Sequence, residues 1–211
     1  MTPDNSSIEF RRQLSSLFAV LRAIIRRSAT GEGSRDEYAA HLEGRIGALA
    51  RVHDMLMRAP ADAIDLEALV QGELLAQAVP AVRYRTIGPD TCIGRDAAMP
   101  LALVLHELAM NSLLHGVIGE PVGDIEVRWD HQGADGGRRL RITWEERGVP
   151  KSRHPPTSKG FGLELIEKTL PYELDAWTRV DWPEPGAKVE IHLPAEGKTT
   201  FWRPGDKTDT P

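Results

Sequence analysis

The sequence predicts an α+β protein in two parts. An antiparallel helical hairpin over residues 1–59 would form a four-helix bundle in a dimer, an α/β sandwich follows over 60–194, and 195–211 reads as a disordered tail. Three observations carry this. Apolar residues recur at helical spacing from Ile8 to Leu56 with a Gly-rich break between. A largely apolar stretch from Asp96 to Gly116 reads as one buried helix that carries Glu107, Asn111 and His115 at four-residue steps. Beyond it, alternating strand patterns lead to a Pro- and Gly-rich segment and then to Gly160-Phe-Gly162 at the head of another helix.

In order, Leu14, Leu17, Phe18, Leu21, Ile24 and Ile25 form one stripe of a first helix, Ile8 to Ser28. Arg11, Arg12, Arg22, Arg26 and Arg27 occupy its other faces. Thr30-Gly-Glu-Gly-Ser34 breaks it, and Ser34 with Glu37 three residues on is a capping box. The second helix carries Leu42, Ile46, Leu49, His53 and Leu56 in alternating four- and three-residue steps, a heptad seam on which His53 is expected to pack. Two such stripes exceed what one hairpin can cover, so a second copy is expected on them. Ala59–Ile64 reads as a linker, and Asp65 caps a third helix from Leu66 to Ala78. Strands are expected at Val82–Ile87 and Thr91–Gly94, and Asp96 is the expected cap of the central helix, with Pro100 tolerable in its first turns. Further strands fit Asp124–Asp130, Arg138–Glu145, Ala176–Trp182 and Lys188–Leu193, with a helix from Gly162 to Glu173. Helices should cover one face of the resulting mixed sheet.

Composition narrows the function classes. A formal net charge of -5 advertises neither nucleic acid nor an anionic membrane surface. The single cysteine, Cys92, excludes an intramolecular disulfide framework and a cysteine-based zinc site. No apolar signal region opens the chain and no long apolar run crosses it, so a cytoplasmic protein is expected.

A carboxylate and an amide one turn apart on a buried helix need partners, because leaving either unpaired costs about 1–3 kcal/mol. Neighbouring backbone would satisfy Glu107 and Asn111. So would a hydrated divalent cation, which takes oxygen ligands and keeps several waters, or a water that Glu107 orients as a base. Gly160-Phe-Gly162-Leu163 admits two readings as well: an ordinary loop-to-helix turn, or backbone N–H groups brought close to an anion at a helix N-terminus.

The order of these parts, a Glu/Asn helix, two strands, a lid-like segment and a Gly-x-Gly helix, resembles the Bergerat (GHKL) ATP-binding fold of histidine kinases. His106-Glu-Leu-Ala-Met-Asn-Ser-Leu-Leu-His-Gly116 resembles the N-box of the HWE histidine kinases. Trp144-Glu-Glu146, with Gly148 and Pro150, resembles their Trp-x-Glu segment, and Gly160-Phe-Gly162 with Leu165-Ile166 and Tyr172-Glu-Leu174 their glycine box. Ala23-Ile24 with Arg26, and Leu49-Ala-Arg-Val-His-Asp54, resemble the two dimerisation helices; the likeness spans residues 9–193. It implies ATP and Mg²⁺ as ligands, with Asn111 holding the metal beside the phosphates and Glu107 acting as base or water-orienter. Gly160, Phe161, Gly162 and Leu163 would form the phosphate cradle, and Glu146 and Gly148 the adenine region. His106 and Trp144 would pack and orient, and His115 stands where relatives carry Lys or Tyr.

The family's phosphoacceptor lies early in the first helix, in a His-Arg-x-x-Asn pattern. Matching Arg22–Ser28 to the family puts Arg12 at the histidine, Gln13 at the arginine and Ser16 at the asparagine, and residues 1–40 contain no histidine. Arginine stays protonated at any usable pH and cannot replace imidazole as an acceptor. Autophosphorylation at the usual position is therefore not expected. The resemblance implies two-component signalling by a homodimer joined through residues 8–58, regulating a partner kinase or a response-regulator receiver domain. The alternatives are a nucleotide-free phosphotransfer-like adaptor or pseudokinase scaffold, and an anti-sigma-type serine kinase.

Overall fold

The computed structural model describes residues 34–59, 63–80, 83–134, 137–148, 160–183, 186–194 and 201–202. The expected first helix and most of the lid-like segment lie outside these residues. The chain divides into two compact units, 1–47 and 48–211.

Helix α1 runs Arg35–Arg58. Its capping box is reciprocal: Ser34 N donates to Glu37 Oε2 at 2.7 Å and Glu37 N to Ser34 Oγ at 3.2 Å. Within the second unit Ala48, Leu49, Val52 and Leu56 are buried. Leu49 and Leu56 are thus buried as the expected seam has them, whereas His53, expected to pack, is exposed in the single chain, as is Ile46.

Strand β1 (Ala63–Asp65) leads into α2 (Leu66–Ala76), capped by Asp65, whose carboxylate accepts from Ala68 N at 2.8 Å. After β2 (Tyr84–Ile87) and β3 (Cys92–Gly94) comes α3 (Arg95–His115). Its N-cap is Gly94 with no side-chain bond, so Asp96 lies in the first turn instead of capping it, where a carboxylate still favours the helix dipole. By length and composition α3 could cross a membrane, but it is the core helix here, with Leu101, Ala102, Val104, Leu105 and Ala109 all buried.

Strand β4 (Asp124–Ala134) starts where expected and runs on past Asp130, and β5 (Gly137–Arg147) is longer than expected at both ends. The next helix is α4 (Phe161–Glu164), a π-helical turn (Leu165–Thr169) and α5 (Leu170–Leu174) in unbroken succession. The widened turn precedes Pro171, which has no N–H for an α-helical bond. Strands β6 (Trp177–Asp181), β7 (Gly186–Pro194) and β8 (Phe201–Trp202) complete the set.

Five strands form a mixed sheet in the order β2-β4-β5-β7-β6, with β2 parallel to β4 and the other pairs antiparallel. Ile125, Val127 and Trp129, Leu140, Ile142 and Trp144, and Val189, Ile191 and Leu193 alternate onto one buried face, as period-two strands must when helices cover one side. A second, antiparallel sheet runs β1-β3-β8. It corrects the expectation of a disordered tail at residues 201–202: Phe201 is 4 % exposed, pairs with Ile93 and meets the His131 ring edge-on at 5.1 Å.

Candidate functional site

Residues four apart on a helix share a face, and along α3 that face grades from inside to outside. Glu107 is 4 % exposed, Asn111 is half-buried and His115 is exposed. Against its inner part stands the start of α4. A methyl group on Gly162 would lie 3.0 Å from Glu107 Oε2, 3.1 Å from Glu107 Cβ and 3.3 Å from Asn111 Nδ2. Only a glycine lets the first turn of α4 close on the acid and the amide this tightly. Gly160, extended at φ -69° and ψ 174°, has open space where a side chain would go, and half-buried Phe161 and Leu163 flank Gly162. The structure therefore brings Glu107, Asn111 and Gly162 together and leaves His115 at the rim.

A second cluster forms where α3 ends. Glu146, on the buried face of β5 and 6 % exposed, accepts from Trp144 Nε1 and from Val117 N, both at 3.2 Å. Burial pushes its carboxyl above the usual carboxylate range, and the bonds from Trp144, Val117 and Ser112 pull it only part of the way back. Gly116 makes the approach possible: a Cβ there would sit 2.0 Å from Glu146 Oε2. Gly148, at φ +86°, follows at the end of β5 against Gly123.

Two arrangements were not legible as site features. The Arg83 guanidinium donates to the carbonyls of Val117 at 2.7 Å, Glu120 at 2.6 Å and Gly123 at 2.8 Å, clamping the turn between α3 and β4. Buried Glu73 accepts from Arg51 Nη2 at 2.5 Å and Nε at 3.1 Å, and lies 3.6 Å from Nδ1 of buried His106. His106 is thereby tied to α2 and to the end of α1, directly beside Glu107. Both arrangements join residues far apart in sequence, and no local pattern announces them.

Among the described residues no cluster of three or more His, Cys, Asp or Glu side chains forms a metal cage.

The HWE histidine kinase family model matches residues 13–90. The "Blue-light-activated histidine kinase" of Rhizobium johnstonii is 30% identical over 196 residues, which cover 91% of this chain and 54% of that protein. "Blue-light-activated histidine kinase 1" of Erythrobacter litoralis is 30% identical over 194 residues, covering 88% and 52%. The chain spans about half the length of these curated relatives. Among solved structures, the Erythrobacter litoralis EL346 blue-light activated histidine kinase superposes with a TM-score of 0.56 at 18% identity, over 92% of this chain and 64% of that one. The histidine kinase domain from the same protein gives 0.54 at 18% identity, over 85% and 95%. These likenesses identify the fold as that of the GHKL-type histidine kinase catalytic domains, and the family match and sequence relatives make the chain similar to the HWE histidine kinases and to the blue-light-activated histidine kinases.

Proposed function

We propose that the chain is a two-component signalling protein that binds ATP with Mg²⁺ and acts on a partner kinase or a response-regulator receiver domain without phosphorylating itself at the usual position. The observation that carries this is the contact of Gly162 with Glu107 and Asn111, beside a sequence with no histidine in residues 1–40. The half-exposed Asn111 amide would ligate Mg²⁺ through its oxygen, while Glu107 would orient a water or accept a proton. Backbone N–H groups at 160–163 would hold the phosphates, favoured by the helix N-terminus. Glu146 and Gly148 would meet the adenine, where a carboxylate suits an exocyclic amine. His115, at the exposed end of the face, would reach a phosphate only from the rim. Bound in this way, ATP would supply a transferable phosphoryl group, and positioning and charge neutralisation would be the protein's part.

Isothermal titration with Mg–ATP tests the ligand. The wild-type chain is expected to bind, and Asn111→Asp, which sets a second carboxylate against the phosphates, to weaken binding by at least about tenfold, a single charged contact's worth. Incubation with γ-labelled ATP should leave no acid-labile phosphate on the chain. A wild type that ignores ATP supports the second reading, a nucleotide-free scaffold for receiver domains. Arg12 at the acceptor position favours that reading over a phosphotransferase.

A further inference from the structure

We infer that Arg83 is a positioning residue that sets the nucleobase selectivity of the site by fixing Glu146 and Gly148 through the turn after α3. This rests on the reading of Glu146 as the residue that meets the adenine edge. The geometry runs through two backbone groups. Val117 accepts from Arg83 Nη2 through its carbonyl at 2.7 Å and donates through its N–H to Glu146 Oε2 at 3.2 Å. Gly123, at φ +105°, accepts from Arg83 Nη2 at 2.8 Å and Nε at 3.1 Å, and a Cβ on Gly148 would stand 3.0 Å from its Cα. Glu120 is the third carbonyl in the same clamp, at 2.6 Å.

One planar guanidinium therefore holds the turn at its beginning, middle and end. Lysine, a single ammonium on a flexible stem, cannot span three carbonyls in fixed directions. Arg83 itself precedes β2 and reaches the turn from the neighbouring strand, so it is a residue that acts on Glu146 only through backbone. With the clamp released, Val117 N–H is free to leave Glu146. The carboxylate then keeps its side-chain bonds from Trp144 and Ser112 and loses its one backbone donor, so that it swings more freely about the two that remain. A base-reading group that swings discriminates poorly between an amine and a carbonyl on the base edge.

Titration of the full chain with Mg–ADP and Mg–IDP separates the possibilities, since the inosine nucleotide presents a carbonyl where adenine has its amine. The wild type is expected to prefer the adenine nucleotide by at least about tenfold, the value of one hydrogen bond to a charged group. Arg83→Met should reduce that preference to within about twofold of unity while changing Mg–IDP affinity less than about twofold. Arg83→Lys should fall between the two, and its ratio decides the matter if the methionine variant does not fold. An unchanged ratio in these variants overturns the inference, and so does an equal loss of both nucleotides, which would mark Arg83 as merely structural. Glu146→Gln tests the underlying reading separately: it should abolish the preference, and a preference that survives there, or is absent from the wild type, overturns that reading and the inference with it.

Discussion

A methyl group at Gly162 would meet Glu107 and Asn111 first, which makes this glycine a direct single-residue probe of the site. Alanine is the better helix former by roughly 0.5–1 kcal/mol, and its Cβ at 3.0 Å from Glu107 Oε2 asks that carboxylate or the α4 turn to yield by a few tenths of an ångström. The two effects on stability nearly cancel, so Gly162→Ala should melt within a few degrees of the wild type. The displacement falls where phosphate and metal would sit, and Mg–ATP affinity should drop by about tenfold or more. Calorimetric melting and titration on one preparation check both halves, and undiminished affinity would move the phosphate site elsewhere. At Gly116 the balance is different. There the added carbon would lie 2.0 Å from Glu146 Oε2 and 2.8 Å from the Ser112 backbone, which cannot yield, so Gly116→Ala should lose about 1–3 kcal/mol of stability outright.

Between elements, the joint that matters is Arg51–Glu73–His106, which pins the end of α1 and the middle of α2 to α3. Burial pushes the Glu73 carboxyl up, but hydrogen bonds from His106 and Arg51, with their charges, outweigh it and hold the group below the usual carboxylate range. A depressed folded-state pKa stabilises the protein above the unfolded value, near pH 4–5 for a free carboxyl, and that contribution is lost as pH falls through the lower folded value. Glu73→Gln should therefore cost about 1–3 kcal/mol at neutral pH and progressively less toward acid. Denaturant titrations of both proteins across that range should converge at low pH, and parallel curves would show that Glu73 carries no charge in the fold. Glu146 has the opposite sign: its raised pKa favours the fold below the unfolded value, and that advantage disappears as pH rises through the folded one. These joints also mark the limit of what sequence shows. Ser34 with Glu37 and Asp65 announce their helix starts because capping is local, and the alternation of β4, β5 and β7 announces a half-buried sheet. Glu107, Asn111 and Gly162 were legible as types and spacings. Their approach to one another was not, nor was Arg83, because both depend on how distant segments are brought side by side. Strands β1 and β8 escaped for a related reason: at 3 and 2 residues, each exists only because β3 lies between them.

For the molecule as a whole, α1 leaves apolar surface that the chain does not cover among the described residues. Ile46 is 42 % exposed and Met57 67 % exposed, while Leu42 is only half-buried. Leu42, Ile46 and His53 keep heptad spacing and stand half-buried or exposed, and the likeness to the HWE histidine kinases supports a second copy covering them. In a two-fold interface each substitution acts twice. Burying an isoleucine is worth about 1.5–3 kcal/mol, so Ile46→Glu should remove about 3–6 kcal/mol from a dimer and raise its dissociation constant by more than about a hundredfold. Sedimentation equilibrium over a wide range of loading concentrations measures this directly. Because Ile46 is exposed in the single chain, the substitution should leave its fold intact, and circular dichroism should be unchanged at concentrations where both proteins are monomeric. A dimer that tolerates Ile46→Glu must be joined through another surface. A wild type that never dimerises would leave the exposed seam to a helix of the partner kinase, which the same spacing fits equally well.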